Sequence, residues 1–280
     1  MAILLALVSA LAYGVSDFVG GILARRVSAW SVAVVANASA TACTALVALA
    51  VPGDPAGRDF AWGALAGVAT GAGTGFLYRG FAAGRMGVVA PVSAVGAAIV
   101  PVLAGFVGGE RFALPVWVGI TAALPGIWLV ASVPEEHRTE SRAGLAEGLV
   151  DGLLAGLGFG VLFAALGQIP DSAGLWPLTL SQAVSVPAVV LLAVALRSAW
   201  VPRGKPVRWA VLAGPLGALA TWSFLASTQL GYLTISGVLT SLYPATTVLL
   251  AAVVLHERVH RAQGVGLGLC AVAVALVAAG

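Results

Sequence analysis

The sequence predicts an all-α integral membrane protein, with ten transmembrane helices in two inverted five-helix repeats around a central cavity. Three observations lead there: charge is scarce, the apolar runs are continuous and of membrane length, and the second half of the chain repeats the first. Of 280 residues, 60% are hydrophobic and 9% charged, against about 25% charged in an ordinary soluble domain. So few charges cannot cover a surface facing water. Lipid removes that demand and imposes another, that backbone N–H and C=O groups find partners inside the protein. Strands of a membrane barrel alternate apolar and polar residues. These runs do not alternate, so helices are expected.

A helix needs about 20 mainly apolar residues to cross the hydrocarbon layer. Charges, Gly/Pro and turn residues divide the chain into ten such segments, near 2–22, 29–51, 60–80, 86–108, 112–132, 148–168, 173–196, 207–229, 235–255 and 260–279. Ile3 to Val15 resembles a signal-peptide core but lacks its basic start, so it is taken as the first span. Only 133–147 is long and polar enough for a linker, which divides the chain into 1–132, 133–147 and 148–280. No room remains for a soluble domain of the usual size. Cys43 and Cys270 fall inside apolar runs and read as small buried hydrophobes rather than disulfide or metal ligands.

A shift of 146 or 147 residues superposes the two halves. Leu11-Ala-Tyr-Gly-Val15 falls on Leu157-Gly-Phe-Gly-Val161, Trp30 on Trp176, Trp62 on Trp209, and Thr74 on Thr221. Glu110-Arg111 falls on Glu257-Arg258, and Gly119 on Gly266. Five spans per half is an odd number, so the second half enters the membrane from the opposite side. Inverted repeats of this kind are common in secondary transporters, with the substrate near the midplane.

Three motifs carry a resemblance. They are Ala12-Tyr-Gly-Val-Ser-Asp-Phe18 in the first span, Gly109-Glu-Arg111 echoed by His256-Glu-Arg258, and Ser241-Leu-Tyr-Pro244 in the ninth span. In this order and spacing the chain resembles the drug/metabolite transporter superfamily, specifically its EamA-type members, over essentially its whole length. The resemblance implies ten helices, a central cavity and movement of small metabolites. Ala97 stands where Pro244 does in the second half, so the two halves should differ in local kinking.

His256-Glu257-Arg258-Val259-His260 spells a zinc-hydrolase signature. The repeat sets Glu110-Arg111 at the equivalent place without flanking histidines, which favours a helix-end role for the Glu-Arg pairs. Glu110, Arg111, Glu257 and Arg258 are expected to pin turns between packed helices, with a gate as the alternative. No metal or other cofactor is implied. Glycines in the third and sixth spans, among them Gly71, Gly73, Gly156 and Gly158, read as helix-packing positions.

Polar and aromatic residues inside spans are the candidates for substrate contact: Tyr13, Asp17, Tyr78, Arg79, Trp222, Gln229 and Tyr243. Asn37, Gln168 and Gln182 are weaker ones. Tyr13 and Asp17 lie four residues apart, on one helix face. A carboxylate at a helix centre costs about 2.5–3.5 kcal/mol to insert. The repeat puts Phe163 opposite Asp17, so the scaffold accepts an apolar residue there. Asp17 therefore reads as the coupling or substrate-orienting residue, or else as the partner of Arg79 in an ion pair or a carboxylate that snorkels to the interface.

The function expected is secondary transport of a small metabolite across the cell membrane by alternating access, with proton coupling through Asp17. No Walker-type sequence supports ATP-driven pumping. Arg79 is the sole cation expected in the cavity, so amino acids or small neutral or cationic compounds suit it better than strongly anionic ones. The alternatives are an intramembrane zinc hydrolase and a non-transporting assembly or sensor protein. The expected partners are a small-molecule substrate and membrane lipid, not nucleic acid, and a homo-oligomer is compatible with the sequence.

Twelve of the 14 basic residues lie in or beside loops 1–2, 3–4, 5–6, 7–8 and 9–10; only Arg58 and Arg111 lie on the opposite face, with the termini. The positive-inside rule places the first face in the cytoplasm, whereas the resemblance implies cytoplasmic termini. The charge bias predicts that cysteines at Ser28 and Ser141 resist an impermeant thiol reagent in intact cells. Labelling there would place the termini inside.

Overall fold

The computed structural model describes residues 1–83, 86–131, 142–254 and 260–279. Among these it contains helices and turns but no strand. The first half forms α1 (Ala2–Ala24), α2 (Ala29–Ala48), α3 (Gly57–Ala82), α4 (Met86–Val107) and α5 (Leu114–Ala131). The second forms α6 (Arg142–Leu166), α7 (Trp176–Ala195), α8 (Ala213–Leu230), α9 (Leu233–Thr240), α10 (Tyr243–Val254) and α11 (Arg261–Ala279). Ten expected spans thus become eleven helices, because the ninth span is made of two.

Local chemistry sets most of these ends. α2 stops before Pro52, whose ring and missing N–H cannot continue a helix. At the start of α3, Asp59 accepts the Ala56 N–H at 2.8 Å, which occupies a donor the first turn leaves free. α8 is preceded by a 3-10 helix, Pro206–Leu212, with the proline where its lost donor costs nothing. Several boundaries differ from expectation by a few residues, and one of them reaches into the expected linker. α6 begins at Arg142, so 142–147 of the expected linker is helical. Ala143, Leu145, Ala146 and Glu147 are strong helix formers and extend the span outward.

The break in the ninth span follows from Pro244. In a continuous helix its ring would meet the Thr240 carbonyl, and it has no N–H to give. The chain tightens instead: the Ser241 N–H bonds the Gly237 carbonyl at 3.0 Å and the Leu242 N–H bonds Leu239 at 3.2 Å. In the first half, α4 runs unbroken past Ala97, despite Pro91 and Pro101. The halves therefore do differ at this point.

The packing obeys a pseudo-two-fold axis. α3 packs on α6 as α1 packs on α8, and α4 packs on α6 as α9 and α10 pack on α1. α2 meets α7, and α5 meets α11, across the axis. Loop contacts agree with the inverted topology. Ser28 in loop 1–2 donates its hydroxyl to the Ala199 carbonyl in loop 7–8. Asp54 in loop 2–3 donates its N–H to Ser172 in loop 6–7 at 2.8 Å. Each contact joins loops assigned to one face.

Close backbone approach holds the halves together. Gly63, Gly67 and Gly71, four residues apart on α3, face Pro177, Ser181 and Ser185 of α7, where a Cβ would strike their carbonyl oxygens. Gly158 of α6 rests on the backbone of Ala69 and Gly73 in the same way. Lipid gives apolar side chains no reason to leave it, so helices associate through such small-residue contacts and through hydrogen bonds.

Glu110 makes a cap between the repeats. Its Oε1 accepts the Leu233 N–H at 2.7 Å and its Oε2 the Thr234 N–H at 3.0 Å. These are free donors at the positive end of α9. Arg111 closes the turn behind it, donating to the carbonyls of Glu110 at 2.8 Å and Phe106 at 3.3 Å, beside Gly109 at φ +92. Glu257 and Arg258 lie outside the described residues. Glu110→Ala should cost about 0.5–2 kcal/mol of stability, the range for a lost cap. A lower melting temperature in detergent with unchanged substrate preference is the expected result; unchanged stability with lost transport would mark Glu110 as a gate.

Candidate functional site

α1 brings Tyr13, Ser16 and Asp17 to a cavity between the repeats, and α3 brings Thr70, Thr74 and Tyr78. α2 adds Asn37, α6 Phe159 and Leu162, α7 Gln182, and α8 Gly217 and Thr221. The repeat register pairs many of these residues: Tyr13 with Phe159, Ser16 with Leu162, Thr70 with Gly217, and Thr74 with Thr221. The cavity therefore lies on the pseudo-two-fold axis. Its volume is about 40 Å³, room for about one water. Small-molecule pockets run to about 300–1,000 Å³, so admitting a solute requires the helices to part.

Polar groups of the wall fall into two sets. One set is tied down: Gln182 Nε2 donates to Thr221 Oγ1 at 2.9 Å, Thr221 donates to the Gly217 carbonyl at 2.9 Å, and Ser16 donates to the Ala213 carbonyl at 3.1 Å. The other set comprises the Tyr13 hydroxyl and the Asn37 Nδ2, buried without a partner among the described residues, and the Asp17 carboxylate, 7% exposed, which lines the same cavity. A buried group without a partner costs about 1–3 kcal/mol. All three groups converge on one cavity and combine one anionic acceptor with two donors. Tyr78 fits because Gly20 leaves space: a Cβ there would collide with the Tyr78 hydroxyl.

Other candidates from the sequence lie elsewhere. Arg79 is not the partner of Asp17. Its Nε donates to Asp151 Oδ1 at 2.8 Å, its Nη2 bonds the same oxygen, and its guanidinium lies 4.7 Å above the Phe76 ring. Asp151 is the fourth residue of the sixth predicted span, and its position there was the available signal. Trp222 is 42% exposed on the outer face of α8, because the neighbouring Thr221 takes the inward position. Gln229, near the end of α8, reaches the Ile169 carbonyl at 3.4 Å, outside the cavity. Tyr243 stands behind the wall, its hydroxyl 3.2 Å from Ser93 and its ring 6.4 Å from Tyr13. Thr70, Thr74, Thr221 and Phe159 are wall residues that side-chain polarity alone did not mark. The in-register threonines at 74 and 221 were the signal for two of them. Among the described residues no cluster of three His, Cys, Asp or Glu side chains is arranged to hold a metal ion. Of the zinc-hydrolase string only His260 is described, and its backbone N–H bonds Gln263.

Two inverted five-helix repeats enclosing a polar cavity on their axis define a multi-pass membrane protein of the small-molecule transporter class. The EamA-like transporter family matches residues 1–132 and again 146–279, and the chain belongs to that family. A solved crystal structure shares the fold at 16% identity, with a TM-score of 0.74 over 98% of this chain and 95% of its own. Among curated proteins none matches.

The two ion-pair assignments are separable by experiment. Arg79→Gln and Asp151→Asn should each destabilise the protein by about 1–3 kcal/mol, below the range for a fully buried pair because Arg79 is 34% exposed. The double variant should lose less than the sum of the two. Arg79→Gln with Asp17→Asn should be additive in thermal denaturation; non-additivity would restore the Asp17–Arg79 pair.

Proposed function

We propose that this protein is a secondary transporter that moves a small solute bearing a cationic nitrogen and an acceptor oxygen, such as an amino acid, by alternating access around Asp17. The observation that carries this reading is the second set of polar groups in the cavity wall. Asp17 offers a carboxylate to an ammonium, and Tyr13 and Asn37 offer donors to an oxygen. Tyr13, Tyr78 and Phe159 add aromatic surface, which favours cations further. Among the described residues the cavity wall carries no basic one, which works against strongly anionic solutes.

Alternating access suits the packing. Arg79–Asp151 joins the repeats beside the face of loops 3–4 and 5–6, and the Glu110 cap joins them at the opposite face. Opening one face can leave the other joined, which is the requirement for exposing a midplane site to one side at a time. Asp17 accounts for coupling without a second ion site: it is negative when empty of solute and proton, and either a proton or an ammonium neutralises it. Phe163 at the matching position shows that packing does not need the charge.

The test is Asp17→Asn in proteoliposomes with an imposed pH gradient and a panel of radiolabelled amino acids and small amines. The variant should fold, retain about 1–10% of the parent's exchange, and lose its response to the gradient. This follows from removing a charge-assisted contact worth about 1.5–3 kcal/mol together with its proton. Parental gradient-driven flux with a parental pH profile would refute the role of Asp17. No flux of any panel solute by the parent would favour the assembly or sensor reading.

A further inference from the structure

A second cavity lies away from the repeat axis, on the outer flank of α2. The 3-10 helix Pro206–Leu212 runs along α2 there. Ser31 donates to the Val201 carbonyl at 3.2 Å and Ser39 to the Val211 carbonyl at 2.9 Å. Between these two contacts an open groove of about 480 Å³ remains, walled by Val35, Val207 and Val211 and rimmed by Lys205 and Arg208. Its size falls within the range of small-molecule sites. Val35 is six residues into α2, roughly 9 Å below its start at 1.5 Å per residue. The groove therefore reaches from a rim near the headgroups down into the hydrocarbon at Val35, and Trp209, next in sequence to Arg208, is exposed as interfacial rings often are.

Among the described residues its charge is uncompensated. Arg203, Lys205 and Arg208 fall within six residues, and the sequence holds no Asp or Glu between Asp171 and Glu257. Among the described residues none of these three cations has an ion-pair partner, whereas Arg79 and Arg58 do. Gly204, at φ +86, makes the tight bend that sets Lys205 on the groove rim. Arg25 and Arg26 are exposed on the same face of the membrane and add to its positive field. A groove with an apolar floor and an unpaired cationic rim, at the headgroup level, matches one end of a phospholipid on each count. A soluble anion would use the rim and leave the valines bare.

We infer that the groove between α2 and the 3-10 helix Pro206–Leu212 binds an anionic phospholipid, with the phosphodiester held by Lys205 and Arg208 and an acyl chain laid along Val35, Val207 and Val211. Basic pockets between membrane helices hold acidic headgroups in this way. The site is independent of transport through the axial cavity. It fixes the 3-10 helix against α2 and so braces the start of α8, which carries Gly217 and Thr221 to the cavity wall.

The experiment uses the whole chain in nanodiscs of phosphatidylcholine with or without phosphatidylglycerol, reading thermal unfolding, and native mass spectrometry to count retained lipid. The parent should unfold at higher temperature with phosphatidylglycerol and prefer it by about 30-fold, the size expected for two cations at the membrane surface. The gain should shrink as salt rises. Lys205→Gln with Arg208→Gln should reduce the preference to within about 3-fold, while the charge-conserving Lys205→Arg with Arg208→Lys keeps most of it. Arg25→Gln with Arg26→Gln, outside the groove, should keep it too. The inference is overturned if the parent shows no preference, if the double glutamine variant retains it, or if inorganic phosphate alone gives the same stabilisation.

Discussion

Close backbone contact between helices is the constraint on which the rest of this structure depends. In lipid the apolar side chains gain nothing from leaving their solvent, so the repeats hold together only where main chains approach and polar groups bond across the gap. Gly63, Gly67 and Gly71 on α3, and Gly158 on α6, provide the approach. Hydroxyls provide the bonds: Ser9 donates to the Ala220 carbonyl at 2.8 Å, and Ser227 to the Ala2 carbonyl at 2.8 Å. These contacts bring α1, α3, α6 and α8 together around the axis and leave between them the space that Asp17, Tyr13 and Asn37 face. Side chains larger than glycine along α3 would push α7 outward and take Gln182 away from Thr221.

The architecture was legible in the sequence because lipid enforces a coarse code. Apolar length marks spans, and a constant offset of 146 or 147 residues marks the repeat. Span ends and the inward or outward direction of single side chains were less legible. Trp222 and Thr221 are neighbours, and in a helix apolar all round no amphipathic stripe says which of them faces in. The repeat register does say so, since Thr221 matches Thr74 and both line the cavity. The partner of Arg79 was missed for a related reason. Pairing depends on which helices adjoin, and the neighbours α3 and α6 lie 72 residues apart at Arg79 and Asp151. Glu110 was legible as a helix-end residue, but not as a cap on a helix of the other repeat.

The two repeats share a scaffold and differ where chemistry differs. Pro244 breaks the ninth span while α4 continues through Ala97. The break places Tyr243 at the head of a short helix, where its hydroxyl meets Ser93 of α4 and its ring meets Tyr13. An interrupted helix beside a cavity frees backbone groups and lets its halves move separately. The first repeat has the uninterrupted α4 in the corresponding place. The break is thus confined to one side of the axis, although the packing around it is close to symmetric.

Asp17 and Phe163 occupy matching places in the two halves, and Phe163 stacks on Phe224 with ring centroids 4.5 Å apart. Had this protein been a pair of identical five-helix chains, every residue near the axis would occur twice. Such a pair would hold two carboxylates that repel each other across a narrow space, or two phenylalanines and no charge. Joining the copies in one polypeptide removes that restriction. One ancestral position can then drift towards charge while its twin drifts towards packing, and selection acts on each separately. The one carboxyl group among the described residues of the cavity wall is thus an arrangement that strict symmetry forbids.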